Sequence, residues 1–108
     1  MNAQEAVDFI FRNAPAYAKA KAQRVYIEEF RKSKKALLMK EAMTKFEAAN
    51  AQEREAYANE EYQALIKGLQ EAVEIEEKLK WGLEAARISV EIWRSQEATN
   101  RMQIRATE

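Results

Sequence analysis

The chain has 108 residues, of which 47% are hydrophobic and 33% are charged, and its 18 basic residues balance its 18 acidic residues. This length and hydrophobic content correspond to one folded domain, residues 1–108, and exclude an intrinsically disordered chain. Two glycines and one proline stand against abundant Ala, Glu, Lys, Gln, Arg, Leu and Met, so the composition predicts an all-α fold.

The sequence contains neither cysteine nor histidine. A disulfide framework is therefore excluded, and the usual nitrogen and sulfur ligands of zinc and haem are missing. Glu5 and Asp8 stand where a secretion signal carries basic residues, and no apolar run approaches the roughly 20 residues that span a bilayer. We expect a cytosolic protein with no cofactor, no metal and no membrane association.

The first helix signal is Asn2 followed by Glu5, a pattern typical of a capping box, and it predicts a short helix over residues 3–12. Asn13-Ala14-Pro15 then interrupts the pattern. Proline is tolerated in the first turn of a helix and costly in its interior. We therefore expect Pro15 to open a second, basic helix over residues 15–49.

A connecting turn is predicted over residues 50–59, with a short helical turn at 53–58. Asn59 followed by Glu60 and Glu61 indicates an N-cap with two acids near the positive end of the helix dipole. The last helix is expected over residues 60–102. Two long helices and one short one predict a long helical hairpin.

The last helix has apolar residues on two sides. One set follows alternating spacings of three and four, as in a coiled-coil seam, with one acidic interruption: Tyr62, Leu65, Leu69, Ala72, Glu76, Leu79, Leu83, Ala86, Val90 and Trp93. A second set lies largely on another side: Trp81, Ala85, Ile88 and Ile92. A helix that is apolar all round is buried either in a large protein or by other copies of itself.

A chain of this length is too short to bury such a helix alone, so we expect a helical homo-oligomer. The predicted interface lies around the centre of the apolar segment, at Trp81, Leu83, Ile88, Val90, Ile92 and Trp93. Gly82 would allow a close backbone approach there. Alternatively, both apolar sides pack within one hairpin, against the second helix and the N-terminal helix.

Charge is unevenly distributed although it sums to zero. Residues 19–45 contain nine basic residues and three glutamates, whereas residues 51–80 contain eight glutamates and four basic residues. At 100° per residue, five cations fall within about one third of the helix circumference: Lys21, Arg24, Arg31, Lys32 and Lys35. Tyr26, Phe30 and Leu37 lie on another face and are expected to contact the last helix.

This basic stripe has three interpretations. It is the solvated side of a long helix, or it pairs with the acidic segment that contains Glu71, Glu74, Glu76 and Glu77. As a third interpretation, copies assembled around an axis join their stripes into a track for a phosphate backbone. Predicted nucleic-acid contacts are Lys21, Arg24, Arg31, Lys32, Lys34 and Lys35, with Arg94 and Arg101 as weaker candidates.

The remaining polar residues do not indicate catalysis. Glu74, Glu76 and Glu77 fit the solvated side of a helix, no histidine activates a serine, and no glycine-rich loop can hold phosphates. Arg94, Arg101 and Arg105 also suit the negative end of a helix dipole. We predict that the protein is not an enzyme.

Residues 16–39, AYAKAKAQRVYIEEFRKSKKALLM, and residues 91–101, EIWRSQEATNR, resemble a family of small helical proteins of tailed phages and prophages. The segment EAYANEEY between them extends the resemblance over most of the chain. More distantly, a basic helix, a break, and an apolar helix with a basic end resemble the UvsY-type recombination mediators of large phages. These resemblances imply a role beside phage recombination or replication, in the cytoplasm of the bacterial host.

The mediator resemblance implies a homo-oligomer that binds single-stranded DNA and assists an annealing or strand-exchange protein, with recombination or single-strand-binding proteins as partners. An alternative hypothesis is an adaptor or inhibitor of a host nuclease that acts through the acidic segment or the exposed apolar helix. A further alternative is a structural or assembly component of the phage particle.

Overall fold

The computed structural model describes residues 1–107 and contains three α-helices. Helix α1 spans Ala3–Ala42, α2 spans Ala49–Ala58 and α3 spans Glu60–Thr107. No strand occurs among these residues, so the all-α prediction is confirmed. Two compact units divide the chain: a central unit, Lys19–Glu76, and a terminal unit made of Met1–Ala18 and the chain from Glu77 onward.

Helix α1 begins at the predicted capping box. The Glu5 backbone N–H donates to Asn2 Oδ1 at 2.8 Å, and the Asn2 backbone N–H donates to Glu5 Oε2 at 3.3 Å. This reciprocal pair satisfies two backbone donors that a helix start leaves without partners. The start of α1 at residue 3 is thus confirmed.

The predicted break at Asn13-Ala14-Pro15 is wrong, because α1 continues through Pro15 without interruption. A proline inside a helix removes one backbone hydrogen bond, and packing on both sides can outweigh that cost. Ala6 and Ala20 are buried on either side of Pro15, 14 residues apart and therefore on one face of the helix. Separate helices over 3–12 and 15–49 are replaced by one helix that ends at Ala42.

The predicted end of the basic helix at residue 49 is also wrong. The Ala42 carbonyl accepts hydrogen bonds from the backbone N–H groups of Lys45, at 3.0 Å, and Phe46, at 2.9 Å. Gln52 Nε2 donates to the Phe46 carbonyl at 2.9 Å and ties the start of α2 to this turn. Helix α1 therefore ends seven residues before the predicted position, in a turn closed by these hydrogen bonds.

The predicted connecting turn over 50–59 is mostly helix α2, which is longer than the helical turn expected at 53–58. The cap of the last helix is confirmed: Asn59 Oδ1 accepts the Glu61 backbone N–H at 2.8 Å, and α3 begins at Glu60. Helix α3 runs to Thr107, five residues beyond the predicted end at 102.

In the central unit, α1 and α3 are antiparallel, since Arg24 contacts Glu76 and Lys34 contacts Glu61. Leu38 of α1, Ala56 of α2 and Tyr62 of α3 form the buried cluster, with Met39 and Ile66 packed against it. Helix α2 therefore covers the end of this helix pair.

In the terminal unit, Phe9 of α1 lies over Gly82 of α3, and a Cβ built on Gly82 would stand 3.3 Å from Phe9 Cζ. Ala6 and Ala86 are buried there. The sequence predicted a close backbone approach between copies at Gly82, whereas here the Phe9 side chain of the same chain lies over it. The missing side chain at Gly82 thus leaves room for the Phe9 ring beside the two buried alanines.

The predicted seam is the side of α3 that packs on α1. Tyr62, Glu76 and Ala86 are buried, and the other seam residues are half-buried except Trp93. Tyr26, Phe30 and Leu37, which were expected to contact α3, are 67%, 39% and 54% exposed and lie outside the buried packing between the two helices. Burial on α1 instead recurs at spacings of three, four and seven, at Ala20, Arg24, Ile27, Arg31 and Leu38.

The described chain buries little large apolar surface. Five of its seven buried hydrophobic residues are alanines, and no large side chain is fully buried. The accessible surface is 8322 Å², whereas a monomer of 12.5 kDa exposes about 6200 Å². Among the described residues, none of the helices combines the length and apolarity that crossing a membrane requires.

Candidate oligomer and nucleic-acid surfaces

Four of the six predicted interface residues are exposed on α3, and three of them, Trp81, Ile88 and Ile92, share one side of the helix. Trp81, Ile88, Ile92 and Trp93 are 62%, 46%, 54% and 48% exposed. The alternative that both apolar sides of this helix pack within one chain therefore does not describe this structure. An apolar helix side that remains open to water favours association.

Leu83 and Val90, the other two predicted interface residues, are half-buried. They share the side of α3 that carries buried Ala86, at spacings of three and four residues. Val90 also lines a hollow with Val7 of α1. These two residues pack toward α1 in the single chain, and their assignment to an intermolecular interface stays a prediction.

Trp93 lies between two open hollows beside the start of α1. One hollow of about 430 Å³ includes Val7 and Val90, and the other, about 300 Å³, includes Ser89 and Ile92. Asn2 and Ala3 line both. Trp93 therefore lies beside the first turn of α1 while about half of the residue remains accessible.

Arg24 of the predicted basic stripe lies in the contact between α1 and α3. Its Nε and one terminal nitrogen donate to the two carboxylate oxygens of Glu76 at 2.6 and 3.0 Å, and its other terminal nitrogen donates to Glu28 at 3.0 Å. These bonds, chiefly the one to Glu76, raise the pKa of Arg24 above its ordinary value. The acidic interruption of the seam is thus neutralised by a cation from the facing helix.

Lys34 and Lys35 are also engaged within the chain. Lys34 forms an ion pair with Glu61 of α3, and Lys35 Nζ lies 3.6 Å from Glu53 of α2. Lys35 Nζ also lies 4.6 Å from the centre of the Tyr57 ring. The Tyr57 side chain, followed by the charge of Glu53, raises the pKa of Lys35. Both lysines therefore connect α1 to its neighbours.

The rest of the stripe divides between contact and solvent. Arg31 is half-buried on the α3-facing side, whereas Lys21 is exposed. Lys32 pairs with Glu29 at 3.2 Å, and both side chains are 66% exposed. Of the six predicted contacts on α1, Lys21 and Lys32 thus remain widely accessible. Pairing within the chain involves Glu76 of the predicted acidic segment, and also Glu61 and Glu53 outside it.

The second group of cations lies near the end of α3. Arg94 pairs with Glu91 at 3.2 Å and is 66% exposed, and Arg101 and Arg105 are exposed. All residues from 98 to 107 are exposed. Seven-residue and four-residue spacings place these three arginines on one side of the helix.

An open groove in the central unit was not predicted from the sequence. It has a volume of about 520 Å³ and is lined by Lys19, Ala22, Gln23, Tyr26, Ile27, Gly68, Glu71, Ala72 and Ile75. At its edge the rings of Tyr26 and Phe30 stack with centroids 5.9 Å apart and planes 7° apart. Their four-residue spacing was visible in the sequence, but it was interpreted as a contact with α3.

No group of acidic side chains within residues 1–107 is arranged to hold a metal ion. Comparison of the chain with protein-family models, with curated proteins and with solved structures gave no match. The candidate surfaces must therefore be interpreted from their own chemistry: an exposed apolar helix side, a stacked aromatic pair beside a groove, and two groups of accessible cations.

Proposed function

We propose that the protein is a self-associating, non-enzymatic accessory protein of phage recombination or replication that binds single-stranded DNA without sequence preference. The observation that carries the proposal is the exposed apolar side of α3, which includes Trp81, Ile88 and Ile92. Association through this side repeats every exposed cation in each copy. Repetition matters because each neutral chain alone attracts polyanions only weakly.

The DNA contacts are proposed at the accessible members of the predicted set. These are Lys21 and Lys32 on α1 and Arg94 and Arg101 on α3, with Arg105 on the same side as the arginines. Arg24, Lys34 and Lys35 already bind glutamates of neighbouring helices, so their first role is to hold α1 in place. Arg31 is half-buried and contributes less.

Lysine and arginine contacts to phosphates do not distinguish one base from another, so the proposed binding is independent of sequence and weakens steeply with salt. The phage setting rests on the resemblance of residues 16–39 and 91–101 to small phage proteins. That setting supplies the proposed partners, which are an annealing or strand-exchange protein and a single-strand-binding protein in the bacterial cytoplasm.

The first test neutralises the four proposed contacts together, in K21Q/K32Q/R94Q/R101Q. The matched control, K40Q/K45Q/R54Q/K67Q, removes four other exposed cations and changes the net charge equally. Fluorescence anisotropy with a labelled oligothymidylate measures the dissociation constant across a salt series. We expect the first variant to bind at least about tenfold more weakly, with a shallower salt dependence, because fewer counterions are released.

The control variant should bind nearly as well as the parent, and both variants should keep the parent's sedimentation coefficient. Equal losses in the two variants would show that net charge alone governs binding. Unchanged binding by K21Q/K32Q/R94Q/R101Q would remove these residues from the DNA surface.

The groove beside Tyr26 and Phe30 favours a second candidate, an adaptor that binds another protein. Exposed stacked aromatics next to an apolar hollow are typical of protein-binding surfaces. A pull-down from nuclease-treated host lysate, with the parent and with Y26S/F30S, separates the candidates. A partner that survives nuclease and is lost with Y26S/F30S supports the adaptor; loss of all partners with the nucleic acid supports the DNA proposal.

A further inference from the structure

We infer that the exposed side of α3 from Trp81 to Met102 binds the same side of α3 in a second copy, as a two-stranded coiled coil. This inference rests on the self-association in the proposed function and specifies its partner and the residues in contact. The predicted interface ended at Trp93 and included Leu83 and Val90, whereas this surface is longer and excludes both.

The surface is defined by a continuous heptad spacing that includes two polar positions, Ser95 and Thr99. Seven residues alternate at spacings of four and three, and all seven are exposed in the described chain: Trp81, Ala85, Ile88, Ile92, Ser95, Thr99 and Met102. We call this set the outer α3 face. Such spacing keeps the set on one side of a gently supercoiled helix. Its length corresponds to about 33 Å of helix.

The outer α3 face is separate from the side that packs on α1. Ala86 is buried and Leu83 and Val90 are half-buried on that other side, at positions between members of the repeat. A second copy can therefore occupy the outer α3 face without displacing α1. In the terminal unit, α3 therefore has two contact sides: α1 covers one, and the outer α3 face remains exposed.

The residues that flank the outer α3 face suit self-pairing. On one flank, Glu84 and Glu91 are already paired within the helix, with Arg87 at 2.6 Å and Arg94 at 3.2 Å. The other flank is neutral and consists of Gly82, Ser89 and Gln96. Flanking charges select partners in coiled coils, and rows of like charge oppose pairing. Here neither flank presents an unpaired row that would repel an identical chain.

The available surface is sufficient for a stable dimer. The chain exposes 8322 Å², about 2000 Å² more than a compact monomer of its mass. A standard interface buries about 800 Å² per partner. Pairing through a three-heptad face with two isoleucines and a tryptophan is therefore compatible with the surface that this chain leaves uncovered.

The test compares the association of the parent chain with I88Q/I92Q by sedimentation equilibrium. Glutamine forms helix well, and both isoleucines are about half exposed in the single chain, so the fold should persist. We expect the dissociation constant to rise on the order of 100-fold or more, because four partly buried isoleucines are lost per dimer. The matched control, F11Q/L37Q, removes two residues that are 77% and 54% exposed elsewhere, and should associate like the parent.

A gain-of-function pair makes the test independent of any loss of folding. S95I/T99I places isoleucine at two polar positions of the repeat, and association should tighten at least about tenfold. Parental association of both I88Q/I92Q and S95I/T99I would overturn the inference.

The outcomes also separate this inference from the proposed function. A parent chain that stays monomeric at high concentration contradicts both. An oligomer that is insensitive to the outer α3 face but is dissociated by F11Q/L37Q contradicts the inference and the use of α3 for association, while self-association and DNA binding in the proposed function still stand. Loss of DNA binding with association intact in K21Q/K32Q/R94Q/R101Q leaves the inference standing and supports the assignment of DNA contacts.

Discussion

The ion pair between Arg24 and Glu76 places part of the predicted basic stripe in the contact between α1 and α3. Glu76 is 7% exposed, in a position that an apolar residue normally occupies, and both of its carboxylate oxygens accept hydrogen bonds from Arg24. An ion pair of this kind stabilises little compared with well-packed apolar residues, but an unpaired buried charge is costly. The pair therefore fixes which residues of α1 and α3 face each other.

The Arg24–Glu76 pair predicts that the effects of substituting the two residues on the free energy of unfolding are not additive. E76M should lower the free energy of unfolding by roughly 1–3 kcal/mol, because Arg24 loses its main partner while it remains half-buried. R24M/E76M should recover most of that loss, since two methionines pack where the ions were. Chemical denaturation at one fixed protein concentration measures both effects.

K32M serves as the control, because Lys32 pairs with Glu29 on the solvent side and both are 66% exposed. Its effect on stability should be small. A double variant that is as unstable as the sum of its two single variants would show that Arg24 and Glu76 act independently.

At the scale of helices, most of the secondary structure was predictable and the exceptions have physical causes. The caps at Asn2 and Asn59 were read correctly because they depend on neighbouring residues alone. The break at Pro15 was wrongly predicted because the cost of a proline is local, whereas burial such as that of Ala6 and Ala20 on either side of it depends on contacts distant in sequence.

The cap of α3 predicts a measurable loss. N59A removes the acceptor at 2.8 Å from the Glu61 backbone N–H and should cost about 1 kcal/mol of unfolding free energy. N100A is the matched control: Asn100 is exposed in the interior of α3, where alanine is the better helix former. Thermal unfolding followed by circular dichroism should show a lower midpoint for N59A only.

The two variants share the same chemical change, so any difference between them reports position. Equal midpoints for N59A and N100A would mean that water replaces the Asn59 side chain at no cost.

For the whole chain, the helical class was predictable from composition, while the candidate site was predictable only in part. The sequence shows apolar residues on two sides of the helix around Ile88, more than one helix contact can cover. Trp81, Ile88, Ile92 and Trp93 are indeed exposed. The exposure of the basic stripe was wrongly predicted. Helical periodicity shows which residues share a side of α1, but it does not show which side faces α3. Arg24 lies on the stripe and Lys34 lies beside it, and glutamates of α3 form ion pairs with both.

Stability should depend on protein concentration. If copies cover apolar surface that one chain leaves exposed, folding and association are coupled by mass action. We expect the thermal midpoint to rise over a hundredfold range of parent concentration, and this rise should be much smaller in I88Q/I92Q. Differential scanning calorimetry of both chains provides the measurement; a midpoint that is constant in the parent would contradict the coupling.

Because alanines fill the buried positions of this chain, we expect larger side chains there to be more harmful than smaller ones. In most domains damage comes from truncating large side chains, which leaves voids. Ala6, Ala20, Ala42, Ala56 and Ala86 have almost nothing to truncate. Harmful replacements at these sites are those that add atoms, since even a valine would force the helix backbones apart.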